Sequence, residues 1–140
     1  MPPFDALTVG DEIASSRYAL TRESLVRYAG ASGDFNPIHY RDDVATSVGL
    51  PGVLAHGMLT MGLAVQPVVE WVGDPGKVRG YQVKFTRPVL VDPAAGAEID
   101  VRAIIGHLDT EALTARVDLT VTFNGETVLG KAQVIVTFGG

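Results

Sequence analysis

The chain has 140 residues, 46% hydrophobic and 19% charged, which is apolar enough for one packed domain and too apolar for a disordered chain. Its net charge is −5 with no Lys/Arg cluster, which argues against nucleic acid as a partner. There is no cysteine, so a disulfide scaffold, a thiolate metal site and a thiol nucleophile are all excluded. A cysteine-free chain suits the reducing cytoplasm. Met1–Asp5 lacks the basic and apolar regions of a signal peptide. The most apolar stretch, Val53 to Val72, is interrupted by His56, Gln66, Pro67 and Glu70 and is not expected to insert into a membrane.

Taken in order, residues 6 to 20 predict a loop and a short strand, with a turn at Gly10-Asp11 and extended chain at Tyr18-Ala19-Leu20. Thr21 offers an N-cap and Glu23 favours the first helical turn. Leu25, Val26, Tyr28 and Ala29 form one helical face, which Gly30 and Gly33 end. A loop from Ser32 to Tyr40 follows, and Pro37 pushes Asn36 away from helical geometry. A short helix is predicted from Arg41 or Asp42 to Val48, stopped by Gly49, with a turn at Leu50-Pro51-Gly52. From Gly57 to Trp71 the chain is apolar almost all round, which predicts one long helix wrapped by other structure and kinked or broken at Pro67.

After the turn cluster Gly73-Asp74-Pro75-Gly76 the period changes to two. Alternation over Tyr81–Phe85, Ile99–Ile105, Leu113–Phe123 and Val128–Phe138 predicts antiparallel strands, with Asn124-Gly125 as a two-residue hairpin turn. Helices first and strands afterwards, with no internal repeat, give a single α+β domain over residues 1–140 in which a helix lies on an antiparallel sheet.

Two stretches carry chemistry. Asp34-Phe35-Asn36-Pro37-Ile38-His39 sets a carboxylate, an amide, a ring-locked turn and an imidazole within six residues, a composition suited to proton transfer. Ala55-His56-Gly57-Met58-Leu59 opens the apolar helix, where free N–H groups and the helix dipole favour negative charge. Gly57 is the predicted contact for a substrate carbonyl, because glycine permits close approach. Its plainer alternative is tight helix packing. Asn36 reads as a loop-fixing amide or a substrate contact. His56 is counted with the substrate-binding residues and reads as structural, its imidazole bonded to backbone near the helix start, in preference to a third catalytic group. The plainer reading of the first stretch is that Asp34 caps the loop and His39 is a turn histidine. Ser32 reads as a polar residue at a helix C-terminus and His107 as a surface residue. The three histidines share no local spacing, so no metal site is predicted, and no cofactor is expected.

Gly33-Asp34-Phe35-Asn36-Pro37-Ile38-His39 resembles the signature of MaoC-like (R)-specific enoyl-thioester hydratases, and Ala55-His56-Gly57-Met58-Leu59 resembles the start of their central helix. Trp71–Gly76 and Tyr81-x-Val83-x-Phe85 are similar to the catalytic B subunit of the mycobacterial (3R)-hydroxyacyl-ACP dehydratases. The resemblance runs from about Gly10 to the C-terminus. It implies a hotdog fold, an antiparallel sheet wrapped around a long central helix. It also implies interconversion of (3R)-3-hydroxyacyl and trans-2-enoyl thioesters, with Asp34 and His39 as the catalytic pair. Such a reaction moves one proton at the α-carbon and one on the β-oxygen, and two titratable groups on one face of the substrate can serve both. The expected assignment puts His39 on the water or hydroxyl oxygen, with Asp34 sharing it and handling the α-proton. The partners implied are acyl-CoA or acyl-ACP, and a second hotdog chain, identical or paralogous, joined edge to edge. Lys77, Arg79, Lys84 and Arg87 are the candidate contacts for an anionic carrier. One departure is that Leu63-Ala64-Val65 is apolar where some family members have a serine lining the site. A non-catalytic acyl-binding subunit is the alternative. A thioesterase fits the Asp/His pair poorly.

Overall fold

The structure, a computed structural model, describes residues 1–140. Strand β1 (Glu12–Leu20) is followed by helix α1 (Arg22–Ser32). The helix begins with a capping box: the Thr21 hydroxyl accepts from the Ser24 N–H, and the Ser24 hydroxyl accepts from the Thr21 N–H. It ends at Gly33, which is left-handed at φ 77° and donates its N–H to Ala29. Two sequence expectations are corrected here. Gly30 lies inside α1, exposed, and does not end it. The buried face is Leu25 and Ala29, while Val26 points outward. Helix α2 (Asp42–Ser47) stops before Gly49, which has φ 87°.

The expected single helix from Gly57 to Trp71 is two: α3 (Gly57–Ala64) and α4 (Gln66–Val72), parted at Val65. The reason is Pro67, which has no N–H for the Leu63 carbonyl and fits only in the first turn of a helix. At the junction the Val65 N–H turns to Leu63. The Met61 carbonyl instead accepts from the Tyr81 hydroxyl at 2.7 Å, and the Gly62 carbonyl accepts from the Gln66 amide at 3.1 Å. Burial raises the pKa of the Tyr81 phenol, so it stays a hydrogen-bond donor. The pair is not covered on every side either. Thr60, Ala64, Pro67, Val68 and Val72 are buried, whereas Met58, Gly62, Gln66 and Glu70 face outward.

The strands β2 (Val78–Phe85), β3 (Ala97–Asp109), β4 (Thr114–Phe123) and β5 (Glu126–Thr137) join β1 in one antiparallel sheet of order β1-β3-β4-β5-β2. The β4–β5 hairpin turns on Asn124 and Gly125, at φ 51° and 77°, as a type I′ turn requires. Register places Val101 opposite Val121 and Val117 opposite Val134, so one face of the sheet is continuous hydrocarbon. Helix α4 lies against β1 and β3 on that face. The expected α+β hotdog arrangement is therefore present, with a two-piece helix. Strands β1 and β2 are the sheet edges.

Gly96 tests how tightly β3 is anchored. Its φ is +68°, and a Cβ there would run into the Leu20 carbonyl oxygen. Gly96→Ala is expected to lower stability by about 1–3 kcal/mol through backbone strain, measured by denaturant unfolding. Gly30→Ala, inside α1 with nothing near its Cβ, should instead stabilise by about 0.5–1 kcal/mol.

Candidate active site

The loop between α1 and α2 is built by short side chains bonding to nearby backbone. The Ser32 hydroxyl accepts from the Asp34 N–H at 3.1 Å. Asp34 Oδ1 accepts from the Asn36 N–H at 3.1 Å, and Asn36 Oδ1 accepts from the Ile38 N–H at 3.2 Å. Asn36 thereby caps a single 3-10 turn, Pro37–His39. Its amide oxygen is committed to the loop, which is the first of the two roles its sequence suggested.

His39 is fixed from the other side. Its Nδ1 lies 2.8 Å from the Leu54 carbonyl, which can only accept, so Nδ1 carries the proton. In the neutral ring Nε2 is then a free lone pair, and it lies 3.9 Å from Asp34 Oδ2. That gap exceeds a direct hydrogen bond and is short enough for one oxygen atom to hydrogen-bond to both groups. The His39 side chain is 12% exposed and that of Asp34 50%, so the imidazole is walled in and the carboxylate is reachable from solvent.

His56 lies under this pair. Its ring stacks on His39 with centroids 3.9 Å apart and planes at 22°, and Tyr28 meets its edge at 4.7 Å. His56 Nε2 donates to the Asp34 carbonyl at 3.2 Å, while Nδ1 is buried without a partner. Burial, and then the nearby His39, lower its pKa, which keeps the ring neutral. The imidazole is bonded to backbone as expected, but to the loop and not to the helix start. Asp34, His39 and His56 each bring a ligand-type atom within 4.8 Å of the others, a convergence no local spacing announced. Each ring donates one N–H to a carbonyl and keeps one lone pair, an arrangement that serves proton transfer and is shared by metal-bound histidines.

His39 also lines a cleft of about 330 Å³ together with Gly57, Thr60, Phe85, Arg87 and Val128. Gly57 is the first residue of α3, so its N–H has no acceptor within the helix. The Phe85 ring lies over it, with Cε1 2.9 Å from where a Cβ would stand. Of these, Arg87 is one of the cations expected to meet an anionic carrier, whereas the sequence marks Thr60 only as part of the apolar helix and Phe85 only as part of the Tyr81-x-Val83-x-Phe85 strand. Arg87 is held by Glu126 at 3.6 Å, and Lys77, Arg79 and Lys84 have no carboxylate within ion-pair distance. His107 is exposed on β3, as expected. A larger cleft of about 700 Å³ lies away from the pair, and its Arg17 and Arg22 are already bound to Asp100 and Asp42. It offers no acid–base couple, so the smaller cleft is the candidate site.

Comparison with known proteins places this geometry. The model of the MaoC like domain matches residues 6–122. A solved structure described as a MaoC-like dehydratase superposes with a TM-score of 0.94 at 43% identity, covering 99% of this chain and 42% of its own. The (R)-specific enoyl-CoA hydratase of Rhodospirillum rubrum is 29% identical over 129 residues, 91% of this chain and 87% of the relative. The 3-hydroxyacyl-thioester dehydratase X of Mycobacterium tuberculosis is 43% identical over 77 residues, 55% of this chain. The chain spans 26% of that protein and 6% of the β subunit of the Saccharomyces cerevisiae fatty acid synthase, to which it is 32% identical over 116 residues, 81% of this chain. With the family model matching most of its length over this fold, the chain belongs to the MaoC-like domain family.

Proposed function

We propose that the chain is a hydro-lyase that interconverts (3R)-3-hydroxyacyl and trans-2-enoyl thioesters by adding or eliminating water. The observation that carries the reading is the 3.9 Å gap between Asp34 Oδ2 and His39 Nε2, beside a cleft that Gly57 also lines. In hydration the thioester carbonyl accepts from the Gly57 N–H, and a water is held between the two side chains. The Nδ1–H bond to Leu54 leaves His39 Nε2 able to accept from that water. The water oxygen bonds to the β-carbon, and the double-bond electrons move to the α-carbon and the carbonyl oxygen. The Gly57 N–H stabilises that enolate charge. One water proton stays on the new hydroxyl. The other is taken up by the Asp34–His39 pair and reaches the α-carbon through Asp34, so atoms and charge balance. Dehydration reverses each step.

The substrate is an acyl thioester on coenzyme A or acyl carrier protein. The working unit is a dimer with an identical or paralogous hotdog chain, joined through a sheet edge. The β2 edge ends in Phe85, an apolar ring 56% exposed in the single chain. No helix is long and apolar enough to cross a membrane, and we assign the chain to the cytoplasm.

The test is the purified chain with crotonyl-CoA and longer trans-2-enoyl-CoA esters, following loss of the conjugated enoyl absorbance and release of free thiol together. Loss of conjugation without thiol is the expected result. Thiol release would make the chain a thioesterase. Neither change, with an acyl ligand still bound, would make it a non-catalytic subunit. Sedimentation should give a dimer; an active monomer would overturn that part of the reading.

A further inference from the structure

Water addition by Asp34 and His39, on which this inference rests, gives no task to His56. Yet His56 is the most enclosed polar side chain of the site, 1% exposed. It touches both members of the pair in different ways: it donates to the main-chain carbonyl of Asp34 and lies face to face with the His39 ring. Its sequence position, the N-cap of α3, places it directly before Gly57, and its side chain makes no capping bond there. We propose that His56 is the positioning residue of the site: one neutral imidazole registers Asp34 through its backbone and His39 through its ring face, and so sets their spacing.

Each half of that statement follows from the geometry. A carbonyl accepts, so the bond to Asp34 requires the Nε2–H tautomer, and Nδ1 is then a bare lone pair in a buried pocket. Protonating Nδ1 would place an unpartnered charged donor in that pocket, directly beneath the ring that must itself accept a proton during turnover. The titratable groups that face His56 are Asp34 from the loop, His39 from the 3-10 turn and the Tyr28 phenol from α1. The lone carboxylate among them already faces the Nε2 of His39. Two stacked rings with one proton acceptor exposed to the substrate therefore act as one base, with His56 as its fixed floor.

Two substitutions separate the contacts. His56→Gln keeps an N–H donor for the Asp34 carbonyl but removes the stacked ring. His56→Phe keeps the ring but removes the donor. Each is expected to lower kcat by about 10²-fold, as misplaced catalytic groups do, with KM changed far less and the pH profile of kcat/KM displaced. In a His39→Gln background His56→Gln should cost nothing further, because the ring contact it removes acts through His39. Imidazole 15N NMR of the unaltered protein tests the tautomer independently of turnover. His56 should be the Nε2–H form and more neutral than charged at pH 6.5, the ordinary histidine value. An Nδ1–H tautomer, or a ring half-charged at that pH, overturns the proposal. So do folded variants with full kcat, or losses that follow the folded fraction with an unmoved pH profile. If the unaltered protein hydrates no enoyl thioester, the functional reading falls, and the NMR result alone decides the role of His56 in holding the loop.

Discussion

Asp34→Asn and His39→Gln should each lower turnover by about two to four orders of magnitude, the range for lost general acid–base groups. Neither change is expected to unfold the loop. Asparagine keeps the oxygen that accepts from the Asn36 N–H, and glutamine keeps an N–H that can reach toward the Leu54 carbonyl. Asparagine cannot carry a proton at neutral pH, and glutamine cannot accept one from water. In the proposed reaction the two groups hold one water between them and act as a unit, so the double variant should be hardly slower than the worse single one. Multiplication of the two losses would mean that the residues act separately. Full activity in either single variant would remove that residue from the chemistry.

The second large effect is expected at Gly57. It is the first residue of α3, where proline is tolerated because the N–H has no partner in the helix. His56 before it has φ −58° and ψ 129°, the extended geometry a following proline demands. Gly57→Pro therefore removes the proposed carbonyl donor while leaving α3 in place. Loss of one such donor costs about 10²–10³ in kcat. Gly57→Ala is the control, since it adds a Cβ facing the same Phe85 ring but keeps the N–H. That ring is exposed and can turn aside. Alanine should retain most of the activity that proline loses. Equal losses would assign the effect to the added carbon, and Gly57 would then be a packing glycine.

The legible parts of this chain are those where a local pattern had a local cause. The two-residue period marked β2 to β5 because one face of β3, β4 and β5 is buried and one face of β2 is half-buried, and Asn124-Gly125 fixed the hairpin because both residues have positive φ. Thr21 and Gly33 bounded α1 through backbone bonds that reach only a few residues. Strand β1 has nine residues and not the three read as extended, since Glu12–Ser16 sets Ile13-Ala14 among polar residues without clean alternation and lies on a sheet edge. The break in the central helix was foreshadowed by Pro67. It falls at Val65 because the missing N–H is felt one turn earlier. Gly30 misled because a glycine ends a helix by adopting a left-handed φ, and Gly30 does not adopt one.

The candidate pair was visible because Asp34 and His39 share one loop. What closes around them was not. His56 meets His39 across 16 intervening positions through the bond from Leu54 to Ile38. Phe85 reaches Gly57 only because the end of β2 meets the start of α3. Such contacts belong to the sheet order, which hydrophobic periodicity does not encode. The departure in Leu63-Ala64-Val65 has a partial structural answer in Thr60, a hydroxyl one turn earlier on α3 that lines the cleft.

The configuration of the alcohol formed from crotonyl-CoA by the unaltered protein tests the central claim most directly. His39 lines the cleft and Asp34 Oδ2 lies 3.9 Å from its Nε2, so water and proton should arrive from a single side and give one enantiomer, which the proposed (R)-specific reaction makes the (3R)-3-hydroxybutyryl thioester. Chiral analysis that returns the (3S) product, a racemate, or unchanged enoyl thioester would contradict it.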